Sequence, residues 1–266
     1  MNRTILITGA TGGLGRGLAL ALSGSPGRLI LHGRNPDRLA DLRAELAGSV
    51  ADVDTVTAAL AELSQVHALA DEVSGLSGHL SVLVNNAGVG IGDGERQEST
   101  DGHELRLAVN HLAPFALSVR LLPLLRTGAP ARIVHVASAA QEEIDLADLH
   151  LTQGYSGSRA YAQSKLAMIA AAISLAERLD PAEVTVNSLH PATLMPTTMV
   201  REGWGYTVDS LEKGITSTRR LIEDPELAGV SGRYFSGLRE AEPLGQALDP
   251  QFRSRLWEIS AELSGV

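Results

Sequence analysis

Tyr161 and Lys165 stand four residues apart near the start of an apolar stretch, SRAYAQSKLAMIAAAISLAER, that reads as a helix over residues 159–178. Four residues is about one helical turn, so a phenol and an ammonium project from the same face. A cation beside a phenol favours the phenolate, because opposite charge stabilises the ionised form. The pair therefore offers a proton donor and acceptor near neutral pH. Many helices carry such a pair as ordinary surface residues, so its meaning depends on what the rest of the chain brings to it. Leu166, Ile169, Ile173 and Leu175 supply the apolar residues of the stretch, with alanines between them.

The elements before this helix alternate between short β-branched runs and helical periodicity. Thr4 to Ile7 reads as a buried strand, followed at once by TGATGGLG and then by a helix over residues 16–22. Strand, glycine-rich turn and helix start make a phosphate cradle: glycines let the backbone approach, and free N–H groups bind the charge. Thr8, Gly9, Thr11, Gly13, Leu14 and Gly15 are its expected contacts. A second strand (28–32) ends in Gly33, Arg34, Asn35 and Pro36, with Asn35 as N-cap and Pro36 in the first helical turn. About 20 residues past the glycine turn, an acid would bond the ribose diol of NAD, whereas an arginine would pair with a 2′-phosphate. Arg34 with no acid there favours NADP(H). A third strand covers 53–57, and a fourth (80–84) ends in Asn85, Asn86, Ala87 and Gly88, where open α/β sheets bind ligands. Residues 101–125 read as one long helical region with Asn110 and His111 inside it, bent at Pro114. A fifth strand (132–137) delivers Ser138 to the same edge. A sixth strand (184–189) leads into Pro191, Ala192 and Thr193, and 194–206 carries Met195, Met199, Trp204 and Tyr206 with weak periodicity, as a substrate lid or a subunit contact would. A helix over 209–221, a short strand at 233–235 and a helix from Asp249-Pro250 to Glu262 complete the chain. Repeated strand–helix alternation implies an α/β fold, a mostly parallel sheet with helices on both faces.

Composition limits the alternatives. A net charge of −9 with no Lys/Arg block argues against nucleic acid and anionic membrane surfaces. No run approaches the roughly 18 apolar residues of a membrane span. The chain has no cysteine, so disulfide and thiolate chemistry are excluded. A hydrophobic fraction of 44% with only 3% aromatics requires a core of Leu, Val, Ile and Ala. No His/Asp/Glu spacing suggests a catalytic metal, and GYSGS at 154–158 misses the hydrolase elbow GxSxG by one position. The expectation is a cytoplasmic protein with 1–266 as one domain and a substrate-loop region at 190–215.

Taken together, these motifs resemble those of the short-chain dehydrogenase/reductase superfamily. TGATGGLG is similar to its TGxxxGxG cofactor turn, NNAG to its fourth-strand motif, and YAQSK to its YxxxK. Asn110, Ser138, Tyr161 and Lys165 match its catalytic tetrad one by one. The resemblance implies a single Rossmann-type domain with a doubly wound sheet of about seven parallel strands, bound NADP(H), and hydride transfer between a ketone or aldehyde and an alcohol. It implies Tyr161 as proton carrier, Ser138 as donor to the substrate oxygen, and Lys165 holding the nicotinamide ribose and lowering the Tyr161 pKa. Asn110 would hold a relay water. Asn86, Ala87, Gly88, Pro191 and Thr193 stand where the family's other cofactor contacts fall. The gap of 23 residues between Ser138 and Tyr161 is similar to that of the retinol-dehydrogenase-like branch. Ala59 stands where the family usually has an acid that bonds the adenine, with Asp52 and Asp54 a little upstream. Homodimers or homotetramers are implied too. A redox-neutral epimerase, dehydratase or cyclase on the same scaffold, or a non-catalytic NADP(H) sensor, remain as alternatives. Ala139 to Gln141, Tyr155 and the 194–206 segment are the expected pocket walls, suited to an apolar or polycyclic ketone.

Overall fold

The computed structural model describes residues 3–92 and 94–266. One sheet of eight strands runs through it in the order β3-β2-β1-β4-β5-β6-β7-β8. The strands are β1 (Thr4–Ile7), β2 (Arg28–Gly33), β3 (Asp52–Thr57), β4 (Val82–Asn85), β5 (Ala131–Val136), β6 (Val184–His190), β7 (Tyr234–Ser236) and β8 (Arg239–Ala241). The first seven are parallel, and β8 returns antiparallel to β7. The order reverses between β1 and β4, which puts a crevice at their C-terminal ends, the binding position of open α/β sheets.

Strand alternation sorts the core into two faces. Ile5 and Ile7 of β1 face one side, where they join Leu14, Leu18 and Leu22 of α1 (Gly13–Leu22), Leu39 and Leu42 of α2 (Pro36–Glu45), and Ile215 and Ile222 of α9 (Leu211–Glu223). Leu6 faces the other side with Val66, Leu69 and Val73 of α3 (Leu63–Leu76). Asn35 caps α2 as its sequence position suggests, accepting from Arg38 N at 3.0 Å.

The expected helix over 101–125 is a correction. Asp101 lies before it, with its carboxylate accepting from Leu63 N at 2.8 Å. The helical path begins at α4 (Leu105–Leu107), widens into a π turn at Ala108–Leu112, and continues as α5 (Ala113–Arg120) and α6 (Leu122–Thr127). Pro114 lacks an N–H and sits just past the π turn, where a regular ladder would need one.

The helix carrying Tyr161 is α7 (Gly157–Ala176), capped by Ser156, which accepts from Arg159 N. It is buried almost all round, because α10 (Pro250–Ser264) packs against its outer side. Trp257 of α10 meets Phe115 edge-on at 4.7 Å and lies under the Arg178 guanidinium at 4.2 Å. The many alanines of α7 let sheet, α5 and α10 all approach it closely.

Candidate active site

Ser138, Tyr161 and Lys165 converge at the end of β5. Lys165 Nζ donates to Val136 O at 2.9 Å and lies 5.7 Å from the Tyr161 ring centroid, so ammonium and phenol do share one face. All three side chains are buried. The Ser138 hydroxyl lies beside the Tyr161 phenol and acts to lower its pKa. Ser138 itself is fixed from behind: its carbonyl accepts from Tyr234 Oη at 3.0 Å and from Gln141 Nε2 at 3.2 Å.

The electrostatics differ from the sequence expectation. Burial pushes the Tyr161 phenol above its ordinary value, and the Ser138 hydroxyl only partly opposes this. Burial also pulls Lys165 down to about 8. Desolvation penalises the charged form of both groups, and it outweighs the attraction that the spacing alone suggested. In the protein by itself Tyr161 is a neutral phenol.

Asn110 sits within the π turn and is fully enclosed. Its Oδ1 accepts from Val89 N at 2.8 Å, while Nδ2 donates to Val89 O and to Ser164 Oγ, both at 3.0 Å. The side chain thus pins the chain after β4 to α7. A Cβ on Gly88 would stand 3.0 Å from Asn110 Oδ1 and 3.5 Å from Lys165 Nζ, so a side chain there would press on the pinned Asn110 amide.

The glycine turn is tied to the end of β4 through Thr8 and Asn86. Thr8 Oγ1 accepts from the N–H groups of Asn86 and Ala87, both at 3.0 Å, and Asn86 Nδ2 donates to Thr8 O at 2.8 Å. Gly9 and Gly13 have φ of +67° and +49°. A Cβ on Gly15 would collide with Gly9 O and the Asn86 amide. Leu14 sends its side chain into the core. Gly12 caps α1 with no side chain, and no acid lies in its first turn. Among the described residues no side-chain cap and no acid compensates that positive helix end, so it fits a phosphate. Thr11 packs against Gly33. Arg34 is exposed at the end of β2.

The segment after β6 lies over both halves. Thr193 N donates to Asp209 Oδ2 at 2.7 Å, and its hydroxyl meets His190 Nε2 at 3.1 Å. Pro191 O accepts from Ser217 Oγ. Asp209 N returns to Thr193 O and Val208 N to Leu194 O, which closes the base of a loop; Leu194 there has φ of 45°. Within it, Thr197 caps α8 (Thr198–Gly203) and packs on Gly13, while Met199 packs on Gly88 and Gly90. The Trp204 ring meets Tyr161 edge-on at 5.9 Å.

Tyr155 is not a free pocket wall. Its hydroxyl joins a buried pair, accepting from Arg106 Nη1 at 2.8 Å and donating to Glu104 Oε1 at 3.2 Å. Burial and the Glu104 charge push the phenol up to about 12. Arg106 also donates to Gly90 O and Ile91 O, both at 3.0 Å. Sequence reading passed over Glu104 and Arg106, although two charges in the apolar run ELRLAVNHLAPFAL are a signal that they are paired.

Residues 3–204 match the profile of the short chain dehydrogenase family. The chain belongs to this family, within its retinol-dehydrogenase-like branch. It is 36% identical to retinol dehydrogenase 14 of Mus musculus, an alignment covering 99% of this chain and 86% of the relative. It is also 36% identical to polyprenol dehydrogenase of Mus musculus, over 99% and 84%. Among solved structures, the Pseudomonas aeruginosa RhlG/NADP active-site complex superposes with a TM-score of 0.71 at 25% identity, covering 88% of this chain and 94% of that one. Among the described residues no helix is long and apolar enough to cross a membrane.

Proposed function

We propose that the chain is an NADP(H)-dependent oxidoreductase that interconverts an apolar alcohol and its aldehyde or ketone. The observation that carries this reading is the convergence of the Ser138 hydroxyl, the Tyr161 phenol and the Lys165 ammonium at one point of the crevice. Residues 1–266 act as one domain, with 190–215 as its substrate segment. Thr8, Gly9, Thr11, Gly13, Gly15 and the Leu14 amide would hold the pyrophosphate, and Arg34 the 2′-phosphate. Asn86 to Gly88, Pro191 and Thr193 would border the nicotinamide half, and Lys165 with Tyr161 its ribose. When bound, NADP(H) supplies or accepts the hydride.

Tyr161 Oη holds the proton. Because burial keeps the phenol neutral, reduction begins from the proper state: Tyr161 delivers its proton to the substrate oxygen as negative charge grows there. Ser138 Oγ donates to the same oxygen, a bond that strengthens as the charge develops. Lys165, held by Val136 O, supplies positive charge beneath the phenol while it is ionised. In the oxidation direction Tyr161 must first lose its proton. Trp204 and Met199 shield the phenol and the Gly88 turn from water.

The names retinol dehydrogenase and polyprenol dehydrogenase support an isoprenoid alcohol or aldehyde as substrate. The test is NADPH consumption with retinal, a polyprenal and a small acyclic ketone. Steady turnover with the isoprenoid aldehydes is expected. Tight NADPH binding with no consumption for any carbonyl would remove the redox reading.

A further inference from the structure

The adenosine half of the crevice lacks the acid that its place in the sheet calls for, and the structure shows what stands there instead. The strand order β3-β2-β1-β4 fixes the layout. With pyrophosphate on the turn after β1 and the ribose phosphate by Arg34 after β2, the base must lie over the end of β3. That end is the apolar ledge of Ala58, Ala59, Leu60 and Ala61.

Its amide donors and its carbonyl acceptors at Ala58 and Ala59 are already engaged, Ala59 O accepting from Glu62 N at 3.1 Å. Ala58 N donates to Gly33 O at 3.3 Å. Ala59 N donates to Gln65 Oε1 at 2.7 Å, and Gln65 Nε2 in turn donates to Glu62 Oε2 at 2.7 Å. The ledge is braced from below by His32, which is buried: Gly9 N donates to its Nδ1 at 3.3 Å, so the proton is on Nε2, which donates to Ala58 O at 3.0 Å. The nearby carboxylates point elsewhere. Asp52 and Asp54 lie at the start of β3, on the opposite edge of the sheet, and Asp54 pairs with Arg28 at 3.4 Å. Glu62 turns into the first turn of α3, accepting from Ser64 Oγ at 2.9 Å as well as from Gln65.

We propose that this subsite holds the base of the dinucleotide by shape alone and leaves its exocyclic amine unread, Ala59 being the residue that sets this tolerance. The inference rests on the function proposed above. A carboxylate at position 59 would accept from the amine, whereas a methyl group cannot distinguish a base that has the amine from one that lacks it.

The experiment is direct binding, by protein fluorescence or calorimetry, of NADPH and of its purine analogue lacking the exocyclic amine. The wild-type chain should bind the two within about threefold. Ala59→Asp, checked for folding by circular dichroism, should favour NADPH over the analogue by about tenfold, the worth of one charge-assisted hydrogen bond. NADPH binding with the analogue about tenfold weaker in the wild type would overturn this inference alone. So would a folded Ala59→Asp variant that binds NADPH with an unchanged ratio. Absence of NADPH binding by the wild type would instead overturn the proposed function and this inference with it.

Discussion

The two halves of the crevice are built from different material. Over β4 to β6 the important groups are buried side chains in defined hydrogen bonds: Asn110 is 0% exposed, Lys165 4% and Tyr161 8%. Over β1 to β3 they are backbone, small residues and one exposed arginine. The difference suits the function proposed above. Proton transfer needs groups with shifted pKa values, and burial shifts them. Holding a polyphosphate needs close approach and free N–H groups, which side chains would obstruct. Changes in one half should therefore alter rate, and changes in the other should alter affinity.

Tyr161→Phe gives the sharpest separation. Turnover should fall by about 10²–10⁴-fold, with NADPH affinity measured by fluorescence within a few-fold of wild type. Near-normal turnover would remove Tyr161 from the chemistry. Arg34→Ala should do the reverse: NADPH binding weakens by about 10–100-fold, NADH binding hardly changes, and kcat at saturating NADPH is kept. If NADPH and NADH binding fell together, Arg34 would not be reading the phosphate. Gly15→Ala should lower stability by about 1–3 kcal/mol in a urea titration, because its Cβ meets Gly9 O and Asn86. A folded variant of unchanged stability and NADPH affinity would show that this contact relaxes freely.

The pH dependence sharpens the same comparison. Burial raises the Tyr161 pKa, so the phenol is protonated throughout the neutral range. Reduction should vary little there, while oxidation should climb by up to about tenfold per pH unit as the ionised fraction grows. An oxidation rate that is flat across neutral pH would mean that the phenol is already ionised when it acts. NADPH affinity should show no trace of this titration.

The sequence exposed the parts that obey local rules. Tyr161 and Lys165 fall one turn apart on any helix, and the turns TGATGGLG and NNAG announce themselves by composition. The parts it concealed depend on distant contacts. Strand β8 consists of Arg239, Glu240 and Ala241, which have no strand pattern; it exists because β7 offers it an edge. The π turn around Asn110 has no signature of its own, and the charges of Glu104 and Arg106, though legible as a pair, do not announce that they capture Tyr155. Spacing alone points the Tyr161 shift the wrong way, because the phenol's burial, to which Trp204 far along the chain contributes, is not legible from a helical period.

The loop after β6 is stitched at its base by Thr193, Leu194, Val208 and Asp209, while its middle rests on Gly13, Gly88 and Tyr161 through three side chains. Such a flap has fixed anchors and a detachable tip. Guest exchange then requires peeling Thr197, Met199 and Trp204 from their seats, with the stitching left intact. Trimming those three residues should quicken the release of NADPH in a stopped-flow measurement without loosening the sheet.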